Sequence, residues 1–290
     1  MTNLNYGLIG CGAAGKVHAY YFSKAFNLKS LSDTNPESLD LFTSLFNPET
    51  TYFNDKEMLT KEGLDVVSIA TPPYFHREQV LKAASEKIHI LCEKPLAATL
   101  QDAQSIVDAC KSSGVTLGIM LPRRFYNNSQ AVKKILDSDD LGKITDVSFV
   151  LECHKEREYY STWRGQKKFT GGGILMSQAI HSIDQLVYFF GNPLRVKGNV
   201  RTTRDYLEVE DEADAVIEFA SGESVTLKTT ANSEKTWKGI TSITGEKGKI
   251  ILDSAETLMW DVPNVEKPLL EEKESISTEF KPKYYGPGHM

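Results

Sequence analysis

The chain has 290 residues, 33 Lys and Arg against 39 Asp and Glu, a net charge of −6, and 40% apolar and 25% charged residues. That is the composition of a soluble globular protein with room for two domains, and its acidic balance excludes nucleic acid as the main partner, since phosphate binding needs a basic footprint. Without a run of about 18 apolar residues no membrane-spanning helix is expected. The four cysteines, Cys11, Cys92, Cys110 and Cys153, are scattered with no C-x-x-C and no zinc spacing, so no metal site is expected. No basic start followed by an apolar run opens the chain, so a cytoplasmic protein with reduced thiols is expected.

The short apolar run Tyr6, Leu8, Ile9 predicts a buried strand that stops at Gly10. Gly10, Gly12 and Gly15 then form G-x-G-x-x-G before a helix through Val17, Tyr20, Tyr21 and Ala25. In a strand-turn-helix unit the first glycine allows the turn, the second lets backbone approach a pyrophosphate, and the third lets helix and strand pack closely. The helix N-terminus, with Ala13 and Ala14, offers free N–H groups and partial positive charge. A second strand, Leu28 to Ser32, ends at Asp33, 23 residues after Gly10, where a ribose-binding acid belongs. Such an acid selects NAD rather than NADP, and neither Thr34 nor Asn35 supplies a cation to offset it.

Further along, Asn35-Pro36-Glu37 opens a helix with Leu39, Phe42 and Leu45 on its buried face, and Tyr52-Phe53 is read as a short strand. Val66 to Ala70 is a near-continuous apolar run, as in a parallel strand buried on both faces, ended by Thr71-Pro72-Pro73. A helix with Val80, Leu81 and Ala84 leads to a fifth strand, Ile88 to Leu91, ended by Cys92-Glu93-Lys94-Pro95. Thr99 is a candidate cap for a helix with Ala103, Ile106, Val107 and Cys110, and Val115 to Met120 is the sixth strand. This alternation predicts a Rossmann-type doubly wound parallel α/β sheet over residues 1–121.

From 122 to 290 the rhythm changes. Ala131 to Leu136 is helical, Ile144 to Cys153 alternates as a strand, and Arg157 to Phe169 reads as an aromatic, basic loop. Gly171-Gly172-Gly173 precedes an apolar helix from Ile174 to Phe190. Strands follow at 196–202, 213–219, 224–230, 240–244, 249–252 and 257–260, with Ser221-Gly222 and Glu246-Lys247-Gly248 as turns. The expectation is an α+β domain with a mostly antiparallel sheet, to which the family resemblance set out below assigns substrate binding and oligomerisation. Val216, Phe219, Val225 and Leu227 are expected not to fit one core together, so that a second subunit covers the remainder.

These residues give the chain a family resemblance. Gly10, Gly12, Gly15 and His18, Ala70-Thr71-Pro72 with His76, Glu93-Lys94-Pro95, Arg123-Arg124-Phe125, and Gly171-Gly172-Gly173 with His181 and Asp184 are similar to the glucose–fructose oxidoreductase / inositol 2-dehydrogenase (Gfo/Idh/MocA) family. The resemblance spans about residues 5 to 250. It implies an NAD cofactor on the first domain, with Thr71, Pro72, His76, Glu93 and Lys94 joining the glycine turn and Asp33 around it. It also implies a small-molecule polyol or sugar substrate, a homodimer or homotetramer, and a cis bond at Lys94-Pro95. The activity implied is hydride transfer between a secondary alcohol of a sugar, nucleotide sugar or cyclitol and the nicotinamide.

Lys94, at a strand end, can stabilise a developing alkoxide; residue type alone favours a pair with Glu93 or a surface charge, and the resemblance turns the reading toward the site. His181 is the candidate general base, with a satisfied core histidine as its bland counterpart. The family commonly has Asp four residues before this histidine, where Ser177 stands here, followed by Gln178. Asp184 is either an orienting group for His181 or a helix-packing residue. Tyr159, Tyr160, Trp163 and Arg164, with Ser177 and Gln178, complete the candidate substrate contacts, since aromatic planes stack on sugars and arginine holds a carboxylate or phosphate; a bland surface loop is the alternative for residues 159–164, and Arg123-Arg124 either contact substrate likewise or only bridge the two domains. His18 and His76 read as cofactor-side, His89 and His154 as structural. In the family the chain continues past Tyr285-Gly286-Pro287-Gly288-His289 into a helical segment; this sequence ends at Met290, so that segment is expected to be missing. The rival class is a non-catalytic NAD(H)-binding regulator of the same fold.

Overall fold

The computed structural model describes residues 4–269, apart from the side chains at 235 and 236; the Tyr285–His289 stretch lies outside them. The chain forms two compact units, one ending at Met120 and one beginning at Leu121. Among the described residues no helix is long and apolar enough to cross a membrane.

In the first unit β1 (Asn5–Ile9), β2 (Asn27–Ser32), β3 (Thr50–Tyr52), β4 (Val66–Ile69), β5 (His89–Cys92) and β6 (Leu117–Ile119) alternate with helices. These are α1 (Ala13–Phe22), α2 (Pro36–Phe46), α3 (Asp55–Lys61), α4 (Pro73–Ser85) and α5 (Leu100–Ser113). The strands run parallel in the order β3-β2-β1-β4-β5-β6. Two cores hold helices to the sheet. One joins Ile9, Val67 and Ile69 to Val80 and Ile106; the other joins Tyr6, Leu8 and Leu31 to Ala19, Leu39 and Phe42. Each such buried side chain contributes about 2 kcal/mol. The Asn35 side chain caps α2 from the N–H groups of Glu37 and Ser38, and Thr99 caps α5. The seven-residue α3 is an addition to the sequence reading. Asn54, which caps it, stands three residues before Glu57, the local signal that announces it.

Strand register aligns the carboxyl ends. Ile9 pairs with both Ser32 and Ile69, and Ile69 pairs with Cys92. Gly10, Asp33, Ala70 and Glu93 therefore follow one another across a single rim, the edge at which open parallel sheets bind ligands.

The second unit opens with a 3₁₀ turn (Pro122–Phe125) and α6 (Asn127–Ser138), then β7 (Ile144–His154). The expected 157–169 loop contains α7 (Arg157–Tyr160), a 3₁₀ turn (Trp163–Gly165) and α8 (Lys167–Thr170). The expected helix from Ile174 is a π-helical turn (Leu175–Ala179) followed by α9 (Ile180–Phe190). β8 (Pro193–Arg201), β9 (Glu212–Phe219), β10 (Ser224–Thr230), β11 (Asn232–Gly245), β12 (Gly248–Asp253) and β13 (Glu256–Asp261) complete a sheet of order β13-β12-β11-β7-β10-β9-β8. Every neighbouring pair is antiparallel except β10 with β7. α6 and α9 cover one face through Val132, Ile135, Leu186 and Phe189 against Phe149, Leu151, Leu227 and Ile243.

The four residues expected not to share a core divide differently. Phe219, Val225 and Leu227 all lie in that core, and Val216 alone is exposed. β9 and β10 run antiparallel with Val225 opposite Ile217 and Val216 opposite Thr226, so period-2 alternation puts three of the four inward. Around Val216 the uncovered face is polar: Arg201 pairs with Glu212 and Asp214, and Asn199 donates to Asp214.

Candidate active site

The glycine turn in the first unit shows what each glycine is for. Gly10 has φ +99°, and a Cβ there would lie 2.8 Å from the Ala70 backbone; a Cβ on Gly15 would lie 1.9 Å from the Gly10 carbonyl oxygen. Those two glycines are demanded by the fold. A Cβ on Gly12 would meet nothing within 4 Å, so the protein leaves the space over Gly12 open, as approach of a pyrophosphate to the backbone requires. Gly12 is also the N-cap of α1, with no side-chain cap and no acid in the first turn, leaving the N–H groups around Ala13 and Ala14 to an anion.

Asp33 is fixed from both sides: its Oδ2 accepts from the Cys11 N–H at 2.7 Å and its Oδ1 from the Asn35 N–H at 2.9 Å. Burial, with the Asp33 charge adding to it, pushes the Cys11 thiol up to about 12, which keeps that thiol protonated and inert. At the end of β4 the Thr71 hydroxyl donates to Gln79 Oε1 at 2.6 Å, and Gln79 donates to Asp55 at 2.6 Å. His76 is fully buried behind the rim. Its Nε2 faces the Thr71 carbonyl oxygen at 2.8 Å and its Nδ1 faces those of Pro95 and Leu96 at 3.1 and 3.3 Å. Burial lowers its pKa against those three bonds. The side chain expected at the cofactor instead braces the backbone just after the cis Lys94-Pro95 bond.

Glu93 is also buried, facing His18 at 3.0 Å through Oε1 and accepting from the Lys94 N–H at 3.1 Å through Oε2. Burial alone would raise its pKa, but His18 and Lys94 hold it below the ordinary carboxylate value. His18 and Glu93, both expected on the cofactor side, thus brace Lys94 from within the protein. Lys94 itself is half-buried. His89 is structural: its Nδ1 accepts from the Thr116 N–H at 3.0 Å.

In the second unit the last glycine of the three, Gly173, is explained by Glu210, a residue invisible to spacing because it lies 37 positions away. Its carboxylate accepts from the N–H groups of Gly173 (2.7 Å) and Leu175 (3.1 Å), while its carbonyl accepts from Ile174 at 2.9 Å. A Cβ on Gly173 would sit 1.8 Å from that carbonyl oxygen. Glu210 therefore anchors the start of the helical stretch carrying Ser177, Gln178 and the half-buried His181.

Asp184 is held by Arg124, whose Nε lies 2.8 Å from Oδ2 and 3.1 Å from Oδ1, so the carboxylate ties helix α9 to the Pro122–Phe125 turn. Arg123, expected at the substrate, is buried and donates to the hydroxyls of Ser182 and Ser254; burial lowers its pKa, opposed by Tyr126 and Asp253. Tyr160 is likewise buried, with Arg204 5.4 Å over its ring. Its neighbour Tyr159 is the accessible ring. The Tyr159 hydroxyl accepts from Gln178 Nε2 at 3.2 Å, Lys155 Nζ lies 5.0 Å and Arg164 Cζ 5.1 Å from its centroid, and Arg164 also covers Trp163 at 4.6 Å. Lys155 was not singled out in the sequence, where it reads as one charge of the run His154-Lys155-Glu156-Arg157. Among the described residues no group of three or more His, Cys, Asp or Glu is arranged to hold a metal ion.

Residues 4–121 match the oxidoreductase family described as having an NAD-binding Rossmann fold, and residues 129–251 match the GFO/IDH/MocA C-terminal domain. The chain is 29% identical over 266 residues to the 2,7-anhydro-N-acetylneuraminate hydratase of Escherichia coli, covering 88% of this chain and 68% of that protein. It is 27% identical to the D-apiose dehydrogenase of Rhizobium rhizogenes, covering 91% and 77%. Among solved structures, the WlbA dehydrogenase from Bordetella pertussis in complex with NADH and UDP-GlcNAcA aligns with a TM-score of 0.85 at 27% identity, covering 91% of this chain and 81% of that one.

Proposed function

The chain belongs to the GFO/IDH/MocA oxidoreductase family and is an NAD-binding oxidoreductase of the sugar dehydrogenase type; on that premise we propose that it transfers hydride between a secondary alcohol of a sugar or sugar derivative and NAD. The observation that carries the reading is the rim of the parallel sheet, where register brings Gly10, Asp33, Ala70 and Glu93 into line and Lys94 follows directly. Bound NAD supplies the hydride acceptor. Gly12 and the start of α1 would hold its pyrophosphate, and Asp33 would accept from the ribose hydroxyls. Lys94 would stabilise the developing alkoxide oxygen, and His181 would take the hydroxyl proton. Ser177 and Gln178, on the helical stretch that leads to His181, hold neighbouring hydroxyls.

The named relatives direct the search to carbohydrates: D-apiose for one, an anhydro sialic acid derivative for another, and UDP-GlcNAcA in the aligned structure. The test is a screen of aldoses, polyols, uronic acids and nucleotide sugars with NAD, followed by the absorbance of reduced nicotinamide and by product analysis. Formation of NADH with one class of sugar is the expected result. Stoichiometric NADH binding with no sugar consumed would make the protein a sensor, and consumption without net NADH would mark an overall reaction like that of the hydratase relative.

The protein is further proposed to be a homodimer or homotetramer through the sheet face that α6 and α9 leave uncovered. Val150, Ile240 and Ile251 lie partly buried on that face among polar neighbours.

A further inference from the structure

Resting on the NAD-binding reading, we propose that Asp55 and Gln79 are positioning residues that set the polarity of the Thr71 hydroxyl, so that Thr71 takes a hydrogen-bond donor of the cofactor, a ribose hydroxyl or the carboxamide N–H. Three elements of the first unit supply the relay: Thr71 follows β4, Gln79 lies on α4 and Asp55 opens α3. The Thr71 hydroxyl donates to Gln79 Oε1 at 2.6 Å, and Gln79 Nε2 donates to Asp55 Oδ2 at 2.6 Å. The direction of both bonds is dictated from the far end. A carboxylate only accepts, so the Gln79 amide turns its NH2 toward Asp55. The amide oxygen then faces Thr71 and can only accept, so the hydroxyl commits its single proton there. A reversed amide would set Oε1 against the Asp55 carboxylate, and Gln79 is buried, with little water at hand to relieve it. In any further bond, therefore, Thr71 Oγ1 accepts.

Thr71 stands against the glycine turn: a Cβ on Gly10 would lie 3.0 Å from the Thr71 backbone nitrogen. Its carbonyl is held from behind by His76 Nε2 at 2.8 Å, so backbone and side chain are both fixed, and the residue is half-buried. Pro72 and Pro73, which follow, open α4 without an N–H, and the Pro72 carbonyl accepts from Phe75 at 3.0 Å. The start of α4 thus lacks two of the donors with which a helix N-terminus takes an anion. The rim of the sheet divides by polarity. The N–H groups at the start of α1 suit a phosphate, whereas the end of β4, through Thr71 Oγ1, suits a donor. NAD carries both kinds of group, phosphates at its centre and ribose hydroxyls and a carboxamide NH2 to either side.

Fluorescence titration of the full chain with NADH tests this in a double-mutant cycle. Thr71→Val, which keeps the shape and removes the hydroxyl, should weaken NADH binding about fivefold or more, the scale of one hydrogen bond, and Thr71→Ser should keep most of the affinity. Gln79→Met, which deprives Thr71 of its fixed acceptor, should weaken NADH binding about threefold or more on its own and have no further effect when added to Thr71→Val. A side chain that merely braced α3 against α4 would weaken binding equally in both backgrounds. Should Gln79→Met fail to fold, Asp55→Asn takes its place: it frees the amide to turn, and its effect should likewise vanish in the Thr71→Val chain. Two analogues separate the two donors. ADP-ribose keeps ribose hydroxyls and has no carboxamide, and reduced 3-acetylpyridine adenine dinucleotide carries a methyl ketone in place of the carboxamide. A Thr71→Val loss that persists with ADP-ribose assigns a ribose hydroxyl; one that vanishes with both analogues assigns the carboxamide. The proposal is overturned if Thr71→Val binds NADH as the wild type does, or if the effects of Gln79→Met and Asp55→Asn simply add to that of Thr71→Val. Additive effects on a chain that binds NADH overturn the relay alone, whereas a wild type that binds no NADH overturns the NAD reading with it.

Discussion

Nε2 of His18 lies 3.0 Å from Oε1 of Glu93, joining the helix after the glycine turn to the residue before Lys94. Both side chains are buried, so breaking the pair is costly. Glu93→Gln should destabilise the protein by about 2 kcal/mol at pH 7. The sign of the pH effect follows from the depressed Glu93 pKa. Its stabilisation is complete above the unfolded carboxylate value of about 4.3 and is lost as pH falls through the lower folded value. Urea unfolding of wild type and Glu93→Gln at pH 7 and pH 3 should therefore show a difference that shrinks in acid. A difference independent of pH would contradict this account.

The three turn glycines should separate by experiment. Gly12→Ala has open space to enter and should leave the unfolding midpoint within a degree or so, yet weaken NADH binding about tenfold or more by obstructing the pyrophosphate. Gly15→Ala meets the Gly10 carbonyl and should cost about 2 kcal/mol of stability or more. Equal effects of the two on unfolding would show that Gly12 is held by the fold.

Asp33 should set cofactor choice. Its carboxylate is fixed by two backbone N–H groups; on the proposed reading it would accept from ribose hydroxyls and repel a 2′-phosphate. Asp33→Asn should weaken NAD binding by about tenfold and narrow the preference over NADP. Fluorescence titration of both reduced cofactors measures it; tight NADP binding by the wild type would refute it.

Lys94→Met and His181→Ala should each lower turnover of an identified sugar by about 100-fold or more, the scale of a lost acid–base group. NAD affinity should move little, because the adenine half belongs to the glycine turn and Asp33. Single-turnover kinetics with a variant running near the wild-type rate would remove that residue from the chemistry, and both running so would overturn the site.

Light scattering at micromolar protein should give a mass at least twice the 32.4 kDa chain. A monomer would mean that the partly buried Val150, Ile240 and Ile251 tolerate water on the uncovered face.

The parallel sheet and its glycine turn were legible along the chain because they are written in local, periodic terms. Val66 to Ala70 is apolar throughout since both faces are covered, Asn35-Pro36-Glu37 caps and opens α2, and Gly10, Gly12 and Gly15 have fixed offsets around one turn. The direction of individual side chains was not. Arg123, Tyr160 and His76 have the residue types of a binding site, yet each is buried and committed inward, to Ser182, to packing beneath Arg204, and to the backbone around Lys94-Pro95. Glu210 gave no signal, because its partner Gly173 lies 37 residues away in a separate element. Periodicity reports which face of an element is apolar; which polar groups meet is fixed by long-range register and loop closure, where the cost of burying an unpaired charge selects one arrangement.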